Sequence, residues 1–288
     1  LVRDLLPASP RRARWEGRVS VATGAIEDQA VVERVVSEYD VDTVFHLAAQ
    51  SQIGVANANP VSTFDTNVKG TWSVLEAVRR VRPTAHVVVA SSDKAYGSQP
   101  VLPYTEDMPL LGRHPYDASK ACADLLAQSY AHSFALPVVV TRCGNLFGPG
   151  DVNWERLVPG TLRSLIAGAR PVIRSDGTAT RDYIYVEDAA LAYVVLAEAL
   201  ASGIAQPGAC FNFSNEHPLS VLDMVSELQR ALGTDLEPDV RGTARNEIDH
   251  QYLSAARARA ELGWKPQFSL EDALAQTVVW YRELLTSG

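Results

Sequence analysis

Short apolar runs rich in β-branched residues alternate along the chain with longer segments in which apolar residues recur every three or four positions. The clearest short runs are residues 43–47, 86–90 and 138–142. The helical spacing between and after them predicts helices at residues 30–39, 63–80 and 116–134. This alternation is typical of parallel strands joined by right-handed crossover helices. The pattern therefore predicts an α/β fold built on a doubly wound parallel sheet.

The sequence pattern changes after Gly148-Pro149-Gly150. From there the predicted secondary-structure elements are shorter, and Pro and Gly are more frequent. Amphipathic spacing then predicts three further helices, at residues 186–200, 221–232 and 270–285. We expect one lobe over residues 1–150 and a smaller lobe over residues 151–288, interleaved with the first around residues 181–215.

Composition excludes several classes of function. A formal net charge of −8 over 288 residues argues against a nucleic-acid footprint. The three cysteines, Cys122, Cys143 and Cys210, are too widely spaced to indicate a zinc site or a disulfide framework. No apolar run approaches the roughly 20 residues that span a bilayer. We expect a soluble cytoplasmic protein with no metal, no membrane and no nucleic acid among its partners.

The sequence Tyr116-Asp117-Ala118-Ser119-Lys120 places a phenol and an ammonium four positions apart, on one face of a predicted helix. A phenol with a pKa of about 10 is a poor base at neutral pH. A nearby positive charge favours phenolate, which can take a proton from a hydroxyl group. Alone, the pair is more often an ordinary surface pair.

Ser92 follows the predicted strand 86–90, about two dozen residues before Tyr116. Ligands of open α/β sheets bind at the carboxyl ends of the strands, so Ser92 could hydrogen-bond the same substrate oxygen as Tyr116. The alternative is a polar strand-to-loop turn without chemistry. Together, Ser92, Tyr116 and Lys120 predict a proton-handling site.

A series of motifs in a fixed order extends over nearly the whole chain. They are Phe45-His46-Leu47-Ala48-Ala49-Gln50, Thr66-Asn67-Val68-Lys69-Gly70-Thr71, Ser91-Ser92-Asp93-Lys94-Ala95-Tyr96-Gly97, Tyr116 with Lys120, Arg142-Cys143-Gly144-Asn145-Leu146-Phe147-Gly148-Pro149-Gly150, Arg181-Asp182-Tyr183-Ile184-Tyr185-Val186-Glu187-Asp188 and Leu262-Gly263-Trp264-Lys265-Pro266. The chain thereby resembles the extended short-chain dehydrogenases/reductases that epimerise or dehydrate nucleoside-diphosphate (NDP) sugars. The resemblance implies a Rossmann-type NAD(P)-binding lobe over residues 1–150 and a substrate-binding lobe over residues 151–288.

In this family a nicotinamide takes hydride from C4 of the sugar and later returns it, so the implied cofactor is NAD. Arg3 and Asp4 occupy the position that selects the cofactor, and together they leave NADP open. The cofactor-binding residues that the resemblance implies are Arg3, Asp4, Ile26, Leu47, Ala48, Ala49, Asn67, Tyr116 and Lys120.

Asp93 and Lys94 follow Ser92 and indicate which subfamily applies. A 4,6-dehydratase must remove the C5 proton and protonate the departing C6 hydroxyl, so it needs two proton carriers besides the tyrosine. The Ser-Asp-Lys form is similar to that of CDP-glucose 4,6-dehydratases, which implies Asp93 as acid and Lys94 as base. The alternative is that Lys94 merely pairs with Asp93 or with a phosphate.

Residues 150–159 are also similar to a loop of the CDP-glucose enzymes that covers the nucleotide end of the substrate. Guanidinium groups match phosphate oxygens. The substrate-binding residues implied are Gln50, Asn145, Arg156, Leu157, Val158, Arg181 and Arg245. The Arg181-Asp182-Tyr183 stretch has the epimerase form instead, so the nucleotide base stays open, and Arg156 and Arg245 could equally be surface arginines.

The family's glycine-rich turn, which brings a helix N-terminus to the pyrophosphate, has no counterpart here. Gly17 and Gly24 do not form a GxxGxxG motif, and Ala25 stands where the family presents an aspartate to adenine. The resemblance places the missing turn before Leu1, so we expect an N-terminally truncated Rossmann lobe that lacks its first βα unit.

Two other functions remain open. An NDP-sugar 4-epimerase, similar to UDP-glucose 4-epimerase, needs only Ser92, Tyr116 and Lys120, and a non-catalytic relative would bind nucleotide without turnover. Family members pair through the helix that carries the tyrosine. Small and apolar residues on several faces of residues 116–134 allow such a homodimer, although core packing explains them equally.

Overall fold

The computed structural model describes residues 18–243 and 248–286. The first half contains α1 (Gln29–Glu38), β1 (Thr43–His46), α2 (Ile53–Ala58), α3 (Pro60–Phe64), α4 (Gly70–Val81), β2 (His86–Ala90), α5 (Pro115–Phe134) and β3 (Val138–Cys143). The second half contains β4 (Asn145–Phe147), α6 (Leu157–Ile166), β5 (Val172–Ile173), β6 (Thr180–Arg181), β7 (Tyr183–Tyr185), α7 (Val186–Ala201), β8 (Cys210–Phe213), β9 (Leu219–Ser220), α8 (Val221–Leu232), β10 (Asp239–Val240), β11 (His250–Gln251), α9 (Ala256–Leu262) and α10 (Leu270–Thr286).

The main sheet has four parallel strands in the order β1-β2-β3-β8. Their register aligns the strand ends, since His46 pairs with Val89 and Ala90 pairs with Thr141. The loops that follow β1, β2 and β3 therefore leave the sheet along the same edge. The α/β prediction with a parallel sheet is confirmed.

Helices cover both faces of this sheet, as its valine-rich strands require. Val88 on β2 packs in a core with Leu196 of α7, whereas Val87 packs in another core with Leu75 of α4 and Ala127 of α5. Successive residues of a strand point to opposite faces, so this division identifies a doubly wound arrangement.

A separate core lies among α6, α8 and α10 and includes Leu162, Leu228 and Val278. The small sheets β4-β7, β5-β10 and β11-β6-β9 belong to the same half of the chain. Strand β8 nevertheless pairs with β3, so the chain returns to the main sheet well after residue 150. The boundary between lobes at residue 150 stays a prediction.

The helix predicted over residues 63–80 is divided in the structure. A π-helical turn, Asp65–Lys69, separates α3 from α4. Its central residue, Asn67, hydrogen-bonds outside the helix, and the Thr71 hydroxyl donates to the Asn67 carbonyl at 2.6 Å. Such turns are frequent at functional sites, and the periodicity of apolar residues does not reveal them.

None of the helices in the described parts of the chain is long and apolar enough to cross a membrane. The cytoplasmic location stays a prediction.

Candidate active site

Ser92, Asp93 and Lys94 lie directly after β2, where a short 3₁₀ helix, Asp93–Tyr96, begins. The Ser92 hydroxyl oxygen caps this helix by accepting from the Lys94 backbone N–H at 3.2 Å. The same hydroxyl donates to Asp93 Oδ1 at 2.9 Å. Asp93 is only 2% exposed, so its carboxylate depends on these protein groups for solvation.

The Lys94 ammonium lies between two oxygens. It is 2.8 Å from Asp93 Oδ2 and 3.3 Å from the side-chain oxygen of Asn145 at the start of β4. Asn145 was predicted from the family as a substrate contact, and in the structure its amide supports Lys94. Lys94 therefore pairs with Asp93 in the structure. This pairing does not decide whether Lys94 also acts as a base.

Tyr116 lies in the first turn of α5 and hydrogen-bonds with Ser92. Desolvation, and then the negative charge of Asp93, raise the pKa of its phenol to about 12, although Arg156 and the bond to Ser92 oppose the shift. The sequence predicted a phenolate favoured by Lys120. In this structure the phenol stays protonated at neutral pH, because the cost of burying its charged form is the larger effect.

Lys120 lies one turn further along α5, with its side chain buried. Its ammonium donates to the carbonyl of Ala90, the last residue of β2, at 2.6 Å. Burial lowers its pKa to about 8, and Asp124 one turn later opposes that shift. The positions of Ser92, Tyr116 and Lys120 agree with the grouping predicted from the sequence.

A buried ion pair beneath these residues was missed by the sequence analysis. Arg142 Nε and Nη2 bind the two Asp124 oxygens at 2.8 and 3.0 Å. Arg142 also donates to the Tyr96 hydroxyl at 2.8 Å, which donates in turn to Asn212 at 2.8 Å. The network ties the 3₁₀ helix that carries Asp93 and Lys94 to α5, β3 and β8. Its only signal in the sequence was the presence of Tyr96 and Arg142 in two family motifs.

Asn67 was predicted to contact the cofactor, but its side chain is 2% exposed and bonded within the protein. Its Oδ1 accepts from Gln50 N at 2.7 Å, and its Nδ2 donates to Gln50 O and to Ser119 Oγ at 3.0 and 2.8 Å. Asn67 therefore fastens the loop after β1 to α5 and can act on a ligand only through that loop. The Gln50 side chain, a predicted substrate contact, turns back to the Gln52 backbone.

Leu47, Ala48 and Ala49, also predicted cofactor contacts, form the loop after β1 at the ligand-binding edge of the sheet. Leu47 is 58% exposed there. A cavity of about 320 Å³ beside this strand is lined by Leu47, Ala48 and Ile26, the remaining predicted contact in the described part of the chain. Most of the remaining lining comes from α1 and β1, while Tyr116 and Lys120 lie on α5, where Lys120 bonds to the end of β2. Arg3 and Asp4 lie outside the described residues.

Arg156 immediately precedes α6, with its side chain 43% exposed. Its guanidinium is 3.2 Å from the Asp151 carboxylate and 3.4 Å from the hydroxyl of Ser51 in the loop after β1. These two contacts join the two halves of the chain. The positive charge of Arg156 acts to lower the pKa of Tyr116. The structure thus places Arg156 beside the candidate catalytic residues.

Other predicted substrate contacts are less well placed. Val158 is buried with α6 in the core of the second half, and Leu157 packs against the same core. Substrate binding at these two residues stays a prediction. Arg181 Nη1 donates to the carbonyls of Thr180 and Asp249 at 2.8 and 3.3 Å. Arg245 lies outside the described residues.

No group of three potential metal ligands occurs among residues 18–243 and 248–286.

The sequence model of the family described as "GDP-mannose 4,6 dehydratase" matches residues 8–277, which is most of the chain. The chain belongs to this family. It is 33% identical over 268 residues to a dTDP-glucose 4,6-dehydratase of Streptomyces antibioticus, covering 92% of this chain and 77% of the relative. It is 30% identical over 272 residues to a CDP-glucose 4,6-dehydratase of Salmonella typhimurium, covering 90% and 76%.

Solved structures of a dehydratase and an epimerase also resemble this chain. A dTDP-glucose 4,6-dehydratase of Bacillus anthracis in complex with NAD superposes with a TM-score of 0.83 at 28% identity, covering 95% of this chain and 83% of that one. A UDP-glucose 4-epimerase shares the fold as well. The comparisons support the predicted superfamily but do not separate CDP-glucose from dTDP-glucose enzymes, so the predicted special likeness to the former remains open.

Proposed function

We propose that this protein is an NAD-dependent NDP-hexose 4,6-dehydratase whose substrate is an NDP-glucose. The observation that carries the proposal is the cluster in which Asp93 and Lys94 adjoin Ser92, with Tyr116 bonded to the same serine. An epimerase needs only the proton chemistry of Ser92, Tyr116 and Lys120. A dehydration requires two further proton carriers, and Asp93 and Lys94, which form an ion pair here, can supply them.

In the first stage Tyr116 receives the proton of the C4 hydroxyl while Ser92 holds the same oxygen. The loop after β1, Tyr116 and Lys120 would hold NAD, which would supply the chemistry of accepting hydride and returning it. Lys120 lies one helical turn after Tyr116, and the positive charge of Arg156 favours the phenolate that this stage needs. The positive charge of the oxidised nicotinamide ring would also favour deprotonation of Tyr116.

In the second stage Lys94 takes the C5 proton and Asp93 protonates the leaving C6 oxygen. These roles need a neutral amine and a neutral carboxyl, and the observed ion pair differs from that state by one proton moved over 2.8 Å. Exclusion of water by the substrate favours the neutral pair, since desolvation disfavours both charges. After water leaves, Lys94 is again an ammonium and Asp93 a carboxylate. When hydride returns to C6, Lys94 would give its proton back to C5, and the proton that Tyr116 took from the C4 hydroxyl would then restore the Lys94 ammonium.

For the nucleotide end of the substrate, we propose Arg156 as a ligand of the diphosphate, with Gln50, Asn145 and Arg181 as further contacts. The partial exposure of Arg156 and its long bonds to Asp151 and Ser51 leave it able to exchange those partners for phosphate oxygens. The nucleotide base and the choice of NAD or NADP are matters for experiment.

A homodimer is proposed as the working form. Helices α4 and α5 present an apolar groove of about 390 Å³, lined by Val68, Trp72, Cys122, Leu125, Leu126 and Ser129. Trp72 is 42% exposed and Leu125 is 56% exposed. Side chains of this size on neighbouring helices suit a self-complementary contact with a second copy.

The test is to incubate the full-length protein with NAD and separately with CDP-, UDP-, dTDP- and GDP-glucose, followed by mass spectrometry of the sugar nucleotides. Loss of one water from any of them supports the proposal and names the nucleotide. An unchanged mass with a new C4 epimer by NMR would instead establish an epimerase. Tyr116→Phe serves as the inactive control, and no change in any sugar would favour a non-catalytic relative.

A further inference from the structure

Gln251 reaches the candidate active site from a distant part of the chain. It lies on β11, which pairs with β6, and its side chain is completely buried. Its Nε2 donates to the backbone carbonyl of Asp93 at 2.9 Å, across 158 positions of sequence. The other amide atom, Oε1, is a buried oxygen without a hydrogen-bond partner in the described structure.

The Gln251 amide carries a cost in stability as well as a gain. A buried oxygen without a partner costs free energy, because it has lost its water and gained nothing in exchange. A methionine of similar length would avoid that cost while filling the same space. The feature that an apolar residue could not supply is the bond to the Asp93 carbonyl.

That bond fixes the residue whose carboxylate is central to the site. Asp93 Oδ1 and Oδ2 are placed at 2.9 Å from Ser92 Oγ and 2.8 Å from Lys94 Nζ only if the Asp93 backbone keeps its orientation. Ser92 follows β2, and Tyr116 and Lys120 lie on α5, and Gln251 hydrogen-bonds to none of the three. Gln251 contacts Asp93 directly and reaches Ser92 only through the Asp93 carboxylate.

We propose that Gln251 is a positioning residue for the elimination step. It holds the Asp93 backbone so that the carboxylate stays between Ser92 and Lys94 and can exchange a proton with Lys94. This inference rests on the proposed dehydratase function and adds a residue that acts through Asp93 without meeting the substrate.

The test uses Gln251→Met in single-turnover reactions with enzyme, NAD and the accepted NDP-glucose. Misplacement of a reacting group by about 1 Å can cost on the order of 100-fold in rate. We expect water loss to slow by about 10- to 100-fold while NADH forms at the wild-type rate, so that NADH absorbance accumulates. A residue that only stabilised the fold would not change the ratio between the rates of NADH formation and water loss.

Asn215 offers a matched control, because its Nδ2 also donates to a backbone carbonyl, that of Tyr183, and its Oδ1 is also a buried oxygen without a partner. Asn215→Leu should leave both rates unchanged. If Gln251→Met does not fold, Gln251→Glu keeps the shape and replaces the donor by an acceptor, with the same expectation.

Equal slowing of NADH formation and water loss, or wild-type elimination in a folded Gln251 variant, would overturn the inference alone. Failure of the wild-type protein to dehydrate any NDP-glucose would overturn the proposed function, and the inference with it. The two failures are thus distinguished by the wild-type reaction.

Discussion

The ammonium of Lys94 lies 2.8 Å from the carboxylate of its neighbour Asp93, at the beginning of a helical turn that Ser92 caps. Adjacent residues seldom pair so closely unless the backbone turns sharply between them, and here the 3₁₀ helix provides that turn. Because both side chains are largely buried, the state of the pair depends on what else enters the site. In the proposed function, this pair supplies the proton carriers that an enzyme limited to oxidation and reduction does not need.

Replacement of Lys94 by methionine should stop elimination and spare oxidation. The variant keeps the length of the side chain but has no proton carrier for C5, so water loss should fall by about 100-fold or more. Single-turnover absorbance should show NADH forming and persisting. Lys69→Met, an exposed lysine on the π-helical turn, is the control and should behave as wild type. Undiminished water loss in Lys94→Met would assign the base to another residue.

Lys120 should reduce stability at neutral pH. Its pKa falls from 10.5 when unfolded to about 8 when folded, so between those values the unfolded chain binds more protons. Stability then rises with pH over that window, and below pH 8 the burial costs on the order of 3 kcal/mol. Lys120→Met should therefore be more stable than wild type at pH 7, with a smaller gap at pH 10, although inactive.

Urea unfolding at the two pH values measures this gap for Lys120→Met. The exposed Lys69→Met variant supplies the baseline, since its gap from wild type should be the same at both values. A Lys120→Met advantage that does not shrink with rising pH would show that lost packing, and not a buried charge, determines the difference.

The Asp124–Arg142 pair should be among the most costly interactions to break. Asp124→Asn leaves a buried guanidinium without its counter-charge, which costs about 3–5 kcal/mol. The exposed Arg230–Glu227 pair offers the contrast, because Glu227→Gln should cost about 1 kcal/mol or less. Chemical unfolding of both variants measures the two changes in the free energy of unfolding. Similar changes would show that burial does not raise the cost of breaking the Asp124–Arg142 pair.

Periodicity predicted the main strands and most helix bounds because burial is a local, repeating property of the sequence. Strand β2 and helix α8 fall at the predicted residues, 86–90 and 221–232. The residues that were missed or misplaced depend on contacts across the chain. Asn67 was predicted to contact the cofactor, and its motif does not show that the side chain hydrogen-bonds to Gln50 and Ser119. Gln251 carried no signal, since only the folded chain brings it to Asp93.

Val158 illustrates a different limit. A family motif identified residues 156–158 as one substrate-binding stretch, but a helix directs successive side chains about 100° apart. Arg156 before α6 faces Ser51 and Asp151, whereas Val158 turns into the core with Leu162. The motif treats the three residues alike, whereas the helical geometry gives their side chains different surroundings.

The apolar groove on α4 and α5 should be an interface with a second copy of the chain. Leu125→Glu places a charge in the groove next to Trp72 and should convert a dimer into a monomer, since burying an unpaired carboxylate opposes association. Light scattering coupled to size-exclusion chromatography gives the mass directly. Val194→Glu alters another exposed apolar residue, on α7, and should leave the dimer intact. A wild-type monomer, or a Leu125→Glu dimer, would contradict the assignment of this surface.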